Sequence, residues 1–278
     1  MKSIIIPMTV EDSQKTQMDL SIVVPTIRPR AEIEVVEYLD RCSYEGYELI
    51  IRDDYPVTKA RNEGYKRAST DKILFLDDDS MPRDGYLREA SRTLETEDAV
   101  AGKTVHPRDD LFAGQLTSHY SFGDEPRYVD RFWGNNMGVR REVLDAVGGW
   151  DESMGWGHEE KDLAERVIKE HEIYYNPEMV VDHVYADSLV DYWRKQYKLE
   201  KETPYLLRKQ GFTRQDISVK TLSDLLSPRK YLGRSIQLTA ARTGRNIAKA
   251  GGRVVGLFDE RVSNGEAGTS GRDAQPDP

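Results

Sequence analysis

Ile73-Leu74-Phe75-Leu76-Asp77-Asp78-Asp79 is an apolar run that stops on three consecutive carboxylates. A short continuous run of this kind reads as a strand buried on both faces. Its acids then lie just beyond the carboxyl end, where open α/β sheets bind their ligands. Clustered carboxylate oxygens suit hard divalent cations such as Mg2+ and Mn2+. Ser80 and Pro82 are turn formers, so by themselves the acids read equally well as an acidic turn.

Upstream, Ser21-Ile22-Val23-Val24-Pro25 and Glu48-Leu49-Ile50-Ile51-Arg52 are two further strand patterns. Between them, Ala31 to Cys42 has the helical spacing of Ile33, Val36 and Leu39, and Lys59 to Ser69 reads as a second helix. Strand, helix, strand, helix, strand predicts a parallel sheet with right-handed crossovers. A helix over Asp84 to Glu97 and a strand over Ala99 to Thr104 follow. Farther on, Arg131 to Gly138 reads as a strand entering a polar loop, Arg141 to Val147 as a short helix, and Met179-Val180-Val181-Asp182 as an apolar run again ending in polar groups. Gly155-Trp156-Gly157 precedes the acid pair Glu159-Glu160 at a helix start. Acids in a first turn commonly complement the helix dipole, but the flanking glycines allow close ligand approach and Trp156 offers a flat face for a sugar ring.

Composition narrows the setting. The 278 residues are 38% hydrophobic and 32% charged, enough for one large α/β domain with an appendage. No stretch reaches the roughly 18 apolar residues of a membrane span. A lone Cys42 excludes an internal disulfide and fits a reducing compartment; a cytoplasmic location is expected. The formal charge of −9 argues against general nucleic-acid binding. That excess is not uniform, because Arg229 to Phe258 carries seven basic residues and no acid. Interspersed with Leu232, Ile236, Ile247, Val254 and Phe258, they read as a basic amphipathic helix for an anionic membrane surface, or as one packing on the acidic body. Gly244, Gly251 and Gly252 argue against a single unbroken helix. The expected organisation is an extension over 1–18, the main domain over 19–211, a helical basic segment over 212–258 and a disordered tail over 259–278.

Taken in order, VVPT at 23 to 26, IIRDD at 50 to 54, ARNEG at 60 to 64, FLDDDSMP at 75 to 82, WGNNMGVRREVL at 133 to 144, GWGHEEKDLAERV at 155 to 167 and His183 resemble the family 2 glycosyltransferases of the GT-A fold. The fifth and sixth elements are similar to the acceptor half of the galactosyltransferase-like domain. The resemblance covers residues 20 to about 210. It implies a single Rossmann-like nucleotide-sugar-binding domain with a mixed central sheet, followed by C-terminal helices.

The resemblance also implies roles. Pro25 and Thr26 line a nucleotide pocket, Asp53 accepts a hydrogen bond from the base, and Arg61 contacts the nucleotide or its diphosphate. Asp77 to Asp79 match the DxD element, with Asp79 and His183 as metal ligands for Mn2+ or Mg2+ and Asp77 and Asp78 toward the nucleotide sugar. Glu160 matches the general base, here behind Glu159 where the family carries Glu-Asp; Glu159 and Trp156 fall on the acceptor side. The implied activity is that of an inverting, hexosyltransferase-type enzyme using a nucleoside diphosphate sugar, UDP-linked by preference. The basic segment adds the expectation of a lipid-linked acceptor at the inner face of the membrane, in surface-glycan or glycoprotein assembly. Two other classes remain open on the residues alone: a nucleotidyltransferase, although Thr26-Ile27-Arg28-Pro29-Arg30 lacks the glycines of a triphosphate loop, and a non-catalytic metal- or carbohydrate-binding module.

Overall fold

A computed structural model of the chain describes residues 18–110, 116 and 120–263. Residues 1–17 of the expected extension and 264–278 of the expected tail lie outside the described residues. The chain divides into two compact units: one holds the chain up to Gly155 and Glu159–Tyr185, the other Trp156–His158 and everything from Ala186 onward. The long stretch of the second unit begins at Ala186, ahead of the helix at 189.

The first unit is built on one mixed sheet. Its strands are β1 (Leu20–Pro25), β2 (Tyr47–Arg52), β3 (Lys72–Phe75), β4 (Met81–Pro82), β5 (Ala99–Val105), β6 (Arg127–Val129), β7 (Met137–Arg140) and β8 (Ile173–Asp182). The order is β2-β1-β3-β7-β5-β8-β4, with β6 added to β8. β1 runs parallel to β2 and β3, as their alternation with α1 (Glu34–Asp40) and α2 (Val57–Arg67) requires. Every residue of β1 is buried, which is why its sequence is apolar without alternation. One core layer gathers Val23, Phe75, Met137, Trp150 and Tyr175; the other gathers Ile22, Val24, Leu74, Leu87 and Val181 with α3 (Tyr86–Thr93).

The expected order of strand then loop over 131–138 is reversed. Residues 131–133 lead into a tight bridge between Trp133 and Asn136, and the strand begins after it, at Met137. β7 inserts antiparallel between β3 and β5 and is followed by α4 (Arg141–Ala146). The Asn136 side chain closes this region. Its amide donates to the Lys103 and Met179 carbonyls at 3.1 and 3.0 Å, and its carbonyl accepts from the Tyr86 hydroxyl at 3.0 Å. After α5 (Glu159–Val167), β8 pairs parallel with β5.

The second unit is helical: α6 (Leu189–Lys209), α7 (Arg214–Leu226), a 3-10 turn at Pro228–Lys230, α8 (Ile236–Gly256) and α9 (Glu260–Ser263). Thr213 caps α7, accepting from the Asp216 amide while Asp216 accepts from the Thr213 amide. Against the sequence reading, α8 runs unbroken through its glycines. They serve packing: a Cβ at Gly252 would stand 2.3 Å from the Tyr197 carbonyl oxygen of α6. Close helix approach here outweighs the helix propensity lost, about 1 kcal/mol per glycine. The expected disordered tail also begins too early at 259, since Val262 is fully buried and Arg261 pairs with Glu202 at 3.0 Å.

Candidate functional site

The acid turn leaves β3 at the carboxyl edge of the sheet and is held from several sides. The Asp77 amide donates to Ser80 Oγ at 3.2 Å, and Ser80 Oγ donates to the Asn135 carbonyl at 3.0 Å. The Asp78 carbonyl accepts from the Val35 amide at 3.1 Å, while its carboxylate accepts from Thr26 Oγ1 at 2.5 Å. Thr26 follows Pro25 at the end of β1, so the VVPT and FLDDDSMP elements meet there. Arg28 reaches the same turn, 3.5 Å from Asp78 and 3.9 Å from Asp79. Asp53 is exposed just past β2, beside an Arg52–Asp54 ion pair of 2.5 Å.

β4 pairs with the end of β8, Met81 opposite Asp182, and this brings His183 to the acids. The His183 amide donates to the Val105 carbonyl at 2.9 Å, and its Nε2 lies 3.2 Å from Asp79 Oδ1. Asp77, Asp79 and His183 each offer a ligand atom, all within 4.8 Å of one another. Two carboxylates and an imidazole fit Mn2+ or a related cation. Nε2 is the His183 nitrogen that faces the acids; its buried Nδ1 has no hydrogen-bond partner among the described residues. Burial raises the Asp77 carboxyl above its usual range, against the pull of Arg61, and the neighbouring Asp79 adds to the rise. A divalent cation would offset that repulsion.

Arg61 departs furthest from what a lone helical arginine suggests. It is buried in α2, with Nη1 2.9 Å from Glu159 Oε1 and Nη2 3.2 Å from Asp77 Oδ1, and its guanidinium stands 4.6 Å from the centre of the Trp150 ring. Gly134 of the WGNN element makes room, because a Cβ there would come within 2.6 Å of Arg61 Nη2. Its neighbours clamp the segment ahead of the acid pair: Asn62 exchanges hydrogen bonds with the Trp150 backbone at 2.8 and 2.9 Å, and Thr58 donates to the Met154 carbonyl at 2.8 Å. The ARN element thus ties the acid turn to the start of α5. Burial, and then the charge of Glu159, push the Glu160 carboxyl up to about 8.

Removing the Arg61 cation should leave Asp77 and Glu159 facing each other without compensation. Arg61→Met is expected to lower stability by about 3–5 kcal/mol, the usual cost of breaking a buried pair from one side, in urea unfolding. Adding Glu159→Gln should recover part of that loss; no recovery would mean that packing against Trp150 dominates.

In the second unit Trp156 is 42% exposed. His158, with φ of 65°, is fixed by Nε2 at 2.9 Å from Thr203 Oγ1, and Thr203 donates to Glu200 at 3.0 Å. Against the raising effect of burial, Lys249 and Arg253 hold the Glu200 carboxyl below its usual range, at 2.6 and 2.5 Å. Lys249 and Arg253 are therefore engaged internally, as is Lys230 through Asp224.

Sequence reading singled out the turn, His183 and the acid pair but not Arg28 or His106. His106 follows β5 where His183 follows β8, and the Val105–Asp182 pairing makes them neighbours. Its Nε2 is buried with no hydrogen-bond partner among the described residues. A strand pattern ending in histidine was the available signal.

Residues 28–148 match the family described as glycosyl transferase family 2. No curated protein sequence matches the chain. Among solved structures, the mannosyltransferase PcManGT from Pyrobaculum calidifontis, in complex with GDP-Man and Mn2+, superposes with a TM-score of 0.50 at 14% identity, over 92% of this chain and 77% of its own. GalNAc-T7 with UDP, GalNAc and Mn2+ gives 0.49 at 11% identity, over 84% of this chain; the chain spans 55% of that protein's length.

Proposed function

Because residues 28–148 match glycosyl transferase family 2 and the chain has the GT-A fold, we propose that it is an inverting, metal-dependent transferase of the hexosyltransferase type. It moves a sugar from a nucleoside diphosphate donor, UDP-linked by preference, to an acceptor hydroxyl. The observation that carries this reading is the convergence of Asp77, Asp79 and His183, with Arg61 linking them to the Glu159–Glu160 pair. Asp79 and His183, with Asp77 beside them, would hold the cation, and when bound it would supply charge neutralisation at the diphosphate. Arg28, exposed above the turn, adds a second positive group. Pro25, Thr26, Asp53 and Asp78 line the nucleotide side.

Glu160 takes the proton of the attacking hydroxyl. The acceptor oxygen bonds to the anomeric carbon as the bond from that carbon to the diphosphate oxygen breaks, and the electron pair leaves with the phosphate. One base and one in-line attack invert the configuration. Glu159, anchored by Arg61, holds the acceptor hydroxyl, and Trp156 offers its face to an acceptor sugar. The acceptor is a lipid-linked glycan, and the enzyme works peripherally at the inner membrane face. Among the described residues no helix is long and apolar enough to cross a membrane.

The test is thermal stability and donor hydrolysis with UDP- and GDP-sugars, with Mn2+ or with chelator. A cognate donor at about 100 Kd should add about 2.7 kcal/mol of stability, and only with the cation. Equal stabilisation in chelator would defeat the metal reading; a response to GDP-sugars alone would overturn the base preference. The pH profile is a separate check. A base must be ionised, and the Glu160 carboxyl is raised to about 8, so kcat/KM should climb as pH rises through about 8 and fall away below it. Glu160→Gln should remove that limb.

A further inference from the structure

The structure assigns membrane contact to the outer face of α7 and the turn that follows it, and not to the length of α8. This rests on the proposed membrane association and specifies its surface. α7 has a buried side and an exposed apolar stripe. Ile217 and Thr221, four residues apart, are buried. Val219, Leu222 and Leu226, at spacings of three and four, lie together on another face, and all three are exposed, Leu226 to 69%. The exposed apolar series continues through Leu232 to Ile236, which is 89% exposed. Scattered exposed leucines need no explanation, but a stripe that continues into a turn does.

Charge selects the occupant. From Ile217 to Ile236 the cations are Lys220, Arg229, Lys230 and Arg234, against the single acid Asp224. Asp224 is itself engaged, by Arg253 at 2.6 Å and by Lys230. An apolar stripe rimmed by cations matches an anionic lipid surface, with side chains entering the acyl boundary and basic groups at headgroup level. The second half of α8 lacks this match. It exposes Ile247 and Val254, yet Lys249 and Arg253 there are paired with Glu200. Backbone contacts fix the turn's shape: the Tyr231 hydroxyl donates to the Leu225 carbonyl at 2.5 Å, and Asn246 Nδ2 donates to the Lys230 carbonyl at 2.7 Å.

The experiment is flotation of the full chain with vesicles of phosphatidylglycerol and phosphatidylcholine, or phosphatidylcholine alone, at low and high salt, with donor hydrolysis followed in parallel. The native chain should float with the anionic vesicles and be released by salt. Arg229→Gln with Arg234→Gln should weaken partitioning roughly 30-fold, at about 1 kcal/mol per basic residue. Leu222→Gln with Leu226→Gln should weaken it about tenfold or more, with unfolding midpoint and hydrolysis unchanged. If the native chain ignores anionic vesicles, the membrane association falls along with this surface, while hydrolysis still reports on the transferase reading. If both pairs float normally and Ile247→Gln with Val254→Gln does not, membrane association stands and the α7 surface is overturned. Dimers of the native chain that become monomers in Leu222→Gln/Leu226→Gln, without loss of flotation, would assign the stripe to a second copy and also overturn it.

Discussion

Glu160→Gln is expected to lower the transfer rate by roughly two to four orders of magnitude, the usual contribution of a positioned general base, while donor affinity stays near normal. The amide keeps the shape of the carboxylate but cannot accept the acceptor's proton. The position is suited to the role: burial and the adjacent Glu159 raise the Glu160 carboxyl toward the working pH, and Arg61 keeps a cation on the other member of the pair. Glu159→Gln should chiefly weaken acceptor binding, with a smaller fall in rate at saturation. Transfer rate at saturating donor and acceptor, alongside donor affinity by calorimetry, separates the two. A larger rate defect in Glu159→Gln, with near-normal turnover in Glu160→Gln, would move the base one residue back.

Asp79→Ala should abolish measurable turnover and remove the metal dependence of donor binding. Asp79 contributes one of three clustered ligand atoms and stands 3.2 Å from His183, so its loss leaves the cation with Asp77 and a neutral imidazole. Calorimetric titration with Mn2+ and a nucleotide reads the effect without relying on activity. His183→Ala should act in the same direction but more mildly, since water can replace a neutral ligand. Normal donor affinity for Asp79→Ala in chelator-buffered Mn2+ would be incompatible with the ligand assignment.

The strands around the acid turn are legible in the chain because β1 and β3 are covered on both faces. Burial on both sides selects continuous apolar residues and so writes itself into local sequence. The acids at Asp77–Asp79, the pair at Glu159–Glu160 and the approximate place of each helix are readable for the same local reason. So is the mixed α/β class, through the order of motifs that resembles a known family.

What the local pattern does not encode is the distant partner of each group. A lone helical arginine such as Arg61 suggests a surface charge and the resemblance sets it against the nucleotide or its diphosphate; only the fold brings Glu159 and Asp77, far apart in sequence, onto its guanidinium. The antiparallel insertion of β7 is equally silent, because a short apolar segment is compatible with either direction until its neighbours are in place. His106 reaches His183 only through the pairing of β5 with β8. The basic C-terminal segment shows the same limit in charge. Its sequence counts Lys249 and Arg253 with the rest, but Glu200, on another helix, holds both, while Lys230 meets Asp224 of α7. Sequence fixes how each residue meets water along its own element; which opposite charge it meets across the fold is decided by tertiary packing.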